Sequence, residues 1–158
     1  MPPRRKFLIG LGGLALISRL PMAYAAGPAI KVTKDPSCGC CSAWADHLRG
    51  NGFDVTLVDN PQINQLKAQL GVPASLRSCH TAVIGNYVIE GHVPAASISR
   101  LLRERPDIKG LAVAGMPAGS PGMEISGTPA ESYEVIAFGP RGNSVFARFE
   151  GLKELPNS

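Results

Sequence analysis

Residues 35–44 read DPSCGCCSAW and place three thiols within four positions, at Cys38, Cys40 and Cys41. The stretch separates two segments of different period. Before it, AIKVTK (29–34) alternates and is rich in β-branched residues, the mark of a strand. After it, residues 40–49 put Cys41, Trp44, Ala45 and Leu48 on one helical face, and Gly50-Asn51-Gly52 supplies a C-terminal stop. Three cysteines therefore sit at a strand-to-helix turn. The chain has one other cysteine, Cys79, in the short stretch SCHT.

Working outward, FDVTLVD (53–59) predicts a second strand with apolar residues at every second position. Asn60-Pro61 opens a short helix over 61–70, with Ile63, Leu66 and Leu70 facing inward, and Gly71-Val72-Pro73 breaks it. TAVIGNYVIEG (81–91) reads as two strands around a Gly85-Asn86 turn. Pro94 suits the first position of a helix over 94–104, striped by Ile98, Leu101 and Leu102. LAVAGMPAGSPGME (111–124) reads as a Gly/Pro-rich loop, and residues 133–138 and 144–149 as a C-terminal hairpin around 139–143.

The predicted fold is α/β, with the order β-α-β-α-β-β-α plus an added loop and hairpin. That is the element order of a thioredoxin-like fold. Its first two strands should be parallel, joined by a right-handed crossover through the first helix. In such a fold the segment before the third strand faces the turn after the first strand. The order therefore brings Cys79 to Cys38, Cys40 and Cys41.

The N-terminus reads as an address. Arg4, Arg5 and Lys6 precede an apolar run, Phe7 to Ile17, and Ala23-Tyr24-Ala25 gives the small-x-small pattern of a cleavage site near Ala25/Ala26. The run is shorter than the roughly 20 residues of a membrane span. The paired arginines ahead of Lys6-Phe7-Leu8 also fit a twin-arginine signal, so both twin-arginine and Sec export remain open. The expected organisation is a signal peptide over 1–26 and one domain over 27–158, exported to the periplasm, with no membrane attachment after cleavage.

The chain carries 16 Lys+Arg and 12 Asp+Glu, a net of +4. Four of those cations lie in residues 1–25, which hold no acid, so the remainder balances 12 against 12. Nucleic-acid binding, which needs a basic patch on the folded domain, is not expected.

Four cysteines in an exported chain could make two disulfides, but three within four residues cannot staple distant parts of a fold. The crowding favours metal binding or redox chemistry. Cys40 and Cys41 fall in the first helical turn, where the helix dipole eases ionisation. A Cys40–Cys41 disulfide would be strained and Cys38–Cys40 tight, so a bond from Cys79 is geometrically easier. Soft thiolates suit Cu(I), with zinc as the weaker alternative. Zinc sites favour spaced ligand pairs, whereas clustered thiolates can bridge several ions, so more than one Cu(I) per chain is expected. Metal would also protect neighbouring thiols from oxidation.

The expected ligands are Cys38, Cys40, Cys41 and Cys79. His92, in Gly91-His92-Val93-Pro94, is a further candidate ligand or proton relay, against a helix-capping role. Met116 and Met123, the two methionines outside the signal, lie in the Gly/Pro-rich loop and are candidate thioether ligands, against plugging the space beneath it. His47 reads as a solvated helix residue and Trp44 as core. For Cys79 and His80, alternation along a strand predicts that only one reaches the cluster. Gly10 to Gly13 lie inside the signal's apolar run, and Gly115 to Glu124 lacks the lysine of a phosphate loop.

The combination of CGCC after a first strand, SCHTAVIGNYVIEGHVPA, and GLAVAGMPAGSPGME resembles a family of exported bacterial metal-binding proteins that includes the CopG-type copper-resistance proteins. The likeness spans Ile30 to Phe138. It implies a thioredoxin-like fold, a periplasmic location and a cysteine-bound Cu(I) cluster on Cys38, Cys40, Cys41 and Cys79, in exchange with other periplasmic copper-handling proteins. It also suggests a redox role, interconverting Cu(I) and Cu(II). Where ordinary thioredoxins place a cis-proline, this chain has Ser78-Cys79-His80, which argues against general disulfide exchange. A thiol–disulfide oxidoreductase using Cys38 and Cys41 as a C-x-x-C pair remains the alternative, and a zinc or structural module the third reading.

Overall fold

A computed structural model describes residues 27–156; the expected export signal lies outside the described residues. Strand β1 (Ala29–Lys34) runs parallel to β2 (Asp54–Asp59), with Ile30 opposite Val55 and Val32 opposite Leu57. Helix α1 (Cys40–Gly50) connects them. The other edge of β1 takes β3 (His80–Ile84) antiparallel, and Gly85-Asn86 turns β3 into β4 (Tyr87–Glu90), as the turn chemistry predicts. Helix α2 (Ile63–Gln69) lies between β2 and β3 in the chain, and α3 (Ala95–Glu104) follows β4. The domain is α/β, and the local strand order β2-β1-β3-β4 is compatible with the thioredoxin-like expectation.

The sheet extends further than the sequence pattern indicates. β5 (Gly110–Ala112) pairs parallel with β4 inside a stretch read as loop, and β6 (Ser132–Gly139), β7 (Gly142–Glu150) and β8 (Lys153–Leu155) continue it antiparallel. The eight strands run β2-β1-β3-β4-β5-β6-β7-β8. Gly110, Leu111 and Ala112 are all buried, so β5 shows no alternation, and three residues are too few to reveal a period. β8 is three residues long and two of them, Lys153 and Glu154, are charged, which leaves no apolar period to read.

Between sheet and helices, Ile30 and Val32 of β1 meet Trp44 and Leu48 of α1 and Ile98 and Leu101 of α3 in one core. Each such side chain contributes about 1.5–3 kcal/mol by leaving water. The inward face of α2 departs from expectation. Ile63 is buried as predicted, but Leu66 and Leu70 are only half-buried, and Lys67 is buried beside Ile63. Pro94 stands at the N-cap of α3 rather than inside it, and Arg105 closes the helix in the left-handed conformation with φ 48°. Among the described residues, no helix is long and apolar enough to cross a membrane.

Candidate metal centre

The cysteine turn is built by local chemistry. The Cys38 N–H donates to the Asp35 carbonyl at 3.0 Å across Pro36 and Ser37, and the Ser37 N–H donates to the Asp35 carboxylate at 2.9 Å. An Asx turn with proline at its second position is the expected device for reversing a chain this sharply. Gly39 then takes the N-cap of α1 in helical conformation, with no side-chain cap. Cys40 and Cys41 are thereby fixed in the first turn of the helix, as the pattern predicts.

Sequence order also brings Cys79 to this turn. The four sulfurs of Cys38, Cys40, Cys41 and Cys79 all lie within 4.8 Å of one another. Cys40 Sγ is 3.5 Å from Cys38 Sγ and 3.9 Å from Cys79 Sγ. Cys38 and Cys41 form a disulfide with their Cα atoms 5.7 Å apart, while Cys40 and Cys79 are free. The pair that joins is the C-x-x-C pair of the alternative reading, not one that includes Cys79. Three-residue spacing across a helix start sets the Cα separation in the range disulfides favour, whereas Cys79 approaches the middle thiol, Cys40.

The histidines reach the same place. His92 is fully buried, with Nε2 3.3 Å from Cys79 Sγ and Nδ1 2.7 Å from the Pro121 carbonyl. His80 is also fully buried, and its Nδ1 lies 3.3 Å from the same sulfur. Cys79, His80 and His92 make a second group of potential ligands sharing Cys79 with the first. The expectation that only one of Cys79 and His80 reaches the cluster is therefore corrected. Strand pairing begins at His80, so Cys79 lies in the approach to β3, where alternation does not apply. Trp44 packs against His80 in a tilted arrangement, with ring centroids 4.3 Å apart, and donates from Nε1 to the Val93 carbonyl at 2.9 Å. It is core, as expected, and also a wall of the site.

Of the loop methionines, Met116 brings Sδ to 3.8 Å from Cys40 Sγ, although more than half of the residue is exposed. Met123 takes part through its main chain, accepting from Gly119 N and donating to Ser120 O. The loop is pressed onto α1 at Gly122, with φ 83°, where a Cβ would come within 2.7 Å of Trp44 N. His47 departs from its expected solvated role. It is half-buried and its Nε2 accepts the Ala95 N–H at 3.2 Å, capping the start of α3.

Burial sets the electrostatics. It pushes the Cys79 thiol up to about 11, and neighbouring Cys40 adds to the rise. Burial likewise holds His80 well below the usual imidazole range, with His92 and Lys67 lowering it further. His92 is lowered by burial as well, against opposing contributions from the Pro121 carbonyl and Glu124. Both imidazoles are thus neutral and able to donate a lone pair, while Cys79 keeps its proton until a cation displaces it.

The sequence pattern does not reveal the ion pair beneath Cys79. Lys67 Nζ lies 2.6 Å from Glu90 Oε1, and neither side chain is exposed beyond 1%. The spacing of Lys67 four residues after Ile63, on the inward face of α2, was the available signal.

Soft sulfur, a thioether and neutral imidazole form a donor set suited to Cu(I), and once Cys38–Cys41 is reduced four thiolates converge. The match to known proteins is consistent with that chemistry. Residues 76–123 match a family described as a protein of unknown function, DUF411. A comparison with curated proteins returns no match. Among solved structures, copper resistance protein CopG in its form 1 is similar at 46% identity and a TM-score of 0.71, covering 83% of this chain and 99% of that one. Its form 2 is similar at 46% identity and a TM-score of 0.72, covering 82% and 99%.

Proposed function

This chain belongs to the CopG copper-resistance family, and on that premise we propose that it binds Cu(I) in the periplasm as a multinuclear thiolate cluster. Cys38, Cys40, Cys41 and Cys79 hold the metal and contribute to copper resistance. The observation that carries this reading is the convergence of all four sulfurs within 4.8 Å. His92 Nε2 supplies a further ligand, His80 Nδ1 a second, and Met116 covers Cys40 from the solvent side. Met123, whose main chain braces the loop, is a further candidate thioether ligand.

Reduction comes first. The Cys38–Cys41 disulfide takes two electrons and two protons to give two thiols, from a dithiol that becomes a disulfide in turn. Each thiol then releases its proton as it ligates, so uptake of copper acidifies the medium. Interconversion of Cu(I) and Cu(II) fits the same residues: two Cu(II) reduced to Cu(I) take the two electrons released when the Cys38 and Cys41 thiols lose two protons and close to the disulfide.

Anaerobic titration of the reduced mature protein with Cu(I), followed by metal counting, tests the proposal. More than one copper per chain, reduced by Cys79→Ser, is the expected result. No copper, or one zinc held more tightly than copper, contradicts it. A deletion strain should tolerate copper less well than its parent; equal tolerance removes the resistance role.

The Cys38–Cys41 disulfide favours a second reading, a thiol–disulfide oxidoreductase. Metal-free turnover in insulin reduction, abolished by Cys38→Ser, is its expected signature, and no turnover excludes it.

A further inference from the structure

The buried pair of Lys67 and Glu90 has no role in the copper site as described. Lys67 Nζ and Glu90 Oε1 lie 2.6 Å apart, and the same Oε1 accepts the Ser78 N–H at 2.6 Å. Glu90 Oε2 is buried without a partner. A carboxylate enclosed on β4 is thus joined to an ammonium from α2 and to the main chain of the residue preceding Cys79.

Stability does not account for such a pair. Desolvation costs several kcal/mol per ion, and apolar side chains of similar volume serve a fold equally well or better. The orphaned Oε2 adds to the cost. An apolar residue at position 67 would simply extend the buried face begun by Ile63.

Position accounts for it better. Ser78 is held on three sides: its N–H by Glu90, its Oγ donating to the Gly115 carbonyl at 2.6 Å, and its Cβ by Gly91, where a Cβ would come within 2.8 Å. Gly91 links Glu90 to His92, and Gly115 precedes Met116. One carboxylate therefore ties together the segments that present Cys79 and His92. Its charge shortens and strengthens the hydrogen bond to Ser78, and Lys67 balances that charge.

We propose that Lys67 and Glu90 are positioning residues, a buried charge clamp that fixes the Ser78 main chain and so holds the Cys79 sulfur in register with Cys40 and His92 for metal capture. The proposal rests on the copper reading, but its test does not depend on copper alone.

Two double variants separate positioning from folding. Lys67→Met with Glu90→Gln keeps a neutral acceptor for Ser78 N–H, and Lys67→Met with Glu90→Leu removes it. Both should melt within about 5 °C of the parent. In competition with a chromogenic Cu(I) chelator, the leucine variant should bind about tenfold more weakly or worse, and the glutamine variant should recover most of that loss. In a Cys40→Ser background with Cys38–Cys41 oxidised, Cys79 is the remaining free thiol. Iodoacetamide should modify it about threefold faster or more in the leucine variant, as its segment opens more often. Parent-like copper affinity in the leucine variant overturns the proposal, as does its failure to fold, which would make the pair structural. Equal losses in both variants also overturn it. If the parent itself binds no Cu(I), the copper reading fails alone, and equal alkylation rates would still refute the clamp.

Discussion

His92 presents Nε2 to the Cys79 sulfur at 3.3 Å because its Nδ1–H donates to the Pro121 carbonyl at 2.7 Å. A carbonyl only accepts, so this contact fixes the tautomer and leaves a lone pair on the nitrogen that faces the sulfur. Such outer partners orient metal-binding histidines generally. His92→Gln should therefore weaken Cu(I) binding by about tenfold, within the range that loss of site partners costs. Chelator competition measures it, and unchanged affinity would remove His92 from the ligand set.

The Cys38–Cys41 disulfide withholds two of the four proposed ligands. Oxidised protein should take up less Cu(I) per chain than reduced protein, and treatment with a dithiol followed by its removal should restore full uptake. Anaerobic metal counting on the two forms checks this. Equal copper content in both forms would mean that Cys38 and Cys41 do not ligate.

Gly122 meets α1 where a Cβ would lie 2.7 Å from Trp44 N, and it does so at a φ of 83°. Left-handed backbone costs an alanine about 1–2 kcal/mol before any clash. Gly122→Ala should destabilise the protein by at least that amount in urea unfolding. It should also weaken copper binding, because the same loop carries Pro121. A parent-like unfolding midpoint would contradict the packing described for this loop.

Acid should destabilise the metal-free protein. His80 and His92 are both held below the ordinary imidazole value of 6.5, by burial first. His80 is faced by His92 and Lys67, and His92 by Glu124, which partly offsets its shift. Below 6.5 the unfolded chain binds protons that the folded chain does not. Stability is thus fully present above that pH and is lost as pH falls through it, by up to about 1.4 kcal/mol per pH unit for each histidine kept neutral. Urea unfolding at pH 7.5 and pH 5 should show the loss; a flat profile would contradict the burial of both rings.

Much of this arrangement was legible in the chain. The change from a period of two to a helical period across DPSCGCCSAW located β1, α1 and the cysteine turn, and element order brought Cys79 opposite. What escaped has physical reasons. Three residues of β5, buried on both faces, carry no period. His80 was misjudged because strand alternation was applied one residue before the strand begins. Lys67 escaped because its buried charge is intelligible only beside Glu90, 23 residues later. The Cys38–Cys41 bond follows from the turn's geometry, whereas spacing alone made a bond from Cys79 look the easier one.

The central claim, that four cysteines jointly hold a cluster of Cu(I), is tested most directly by X-ray absorption at the copper edge of the reduced, copper-loaded protein. The account predicts a Cu(I) edge, a first shell dominated by sulfur, and a short copper–copper vector that is lost in Cys79→Ser. A first shell of nitrogen and oxygen alone, or isolated copper with no metal neighbour, would contradict it.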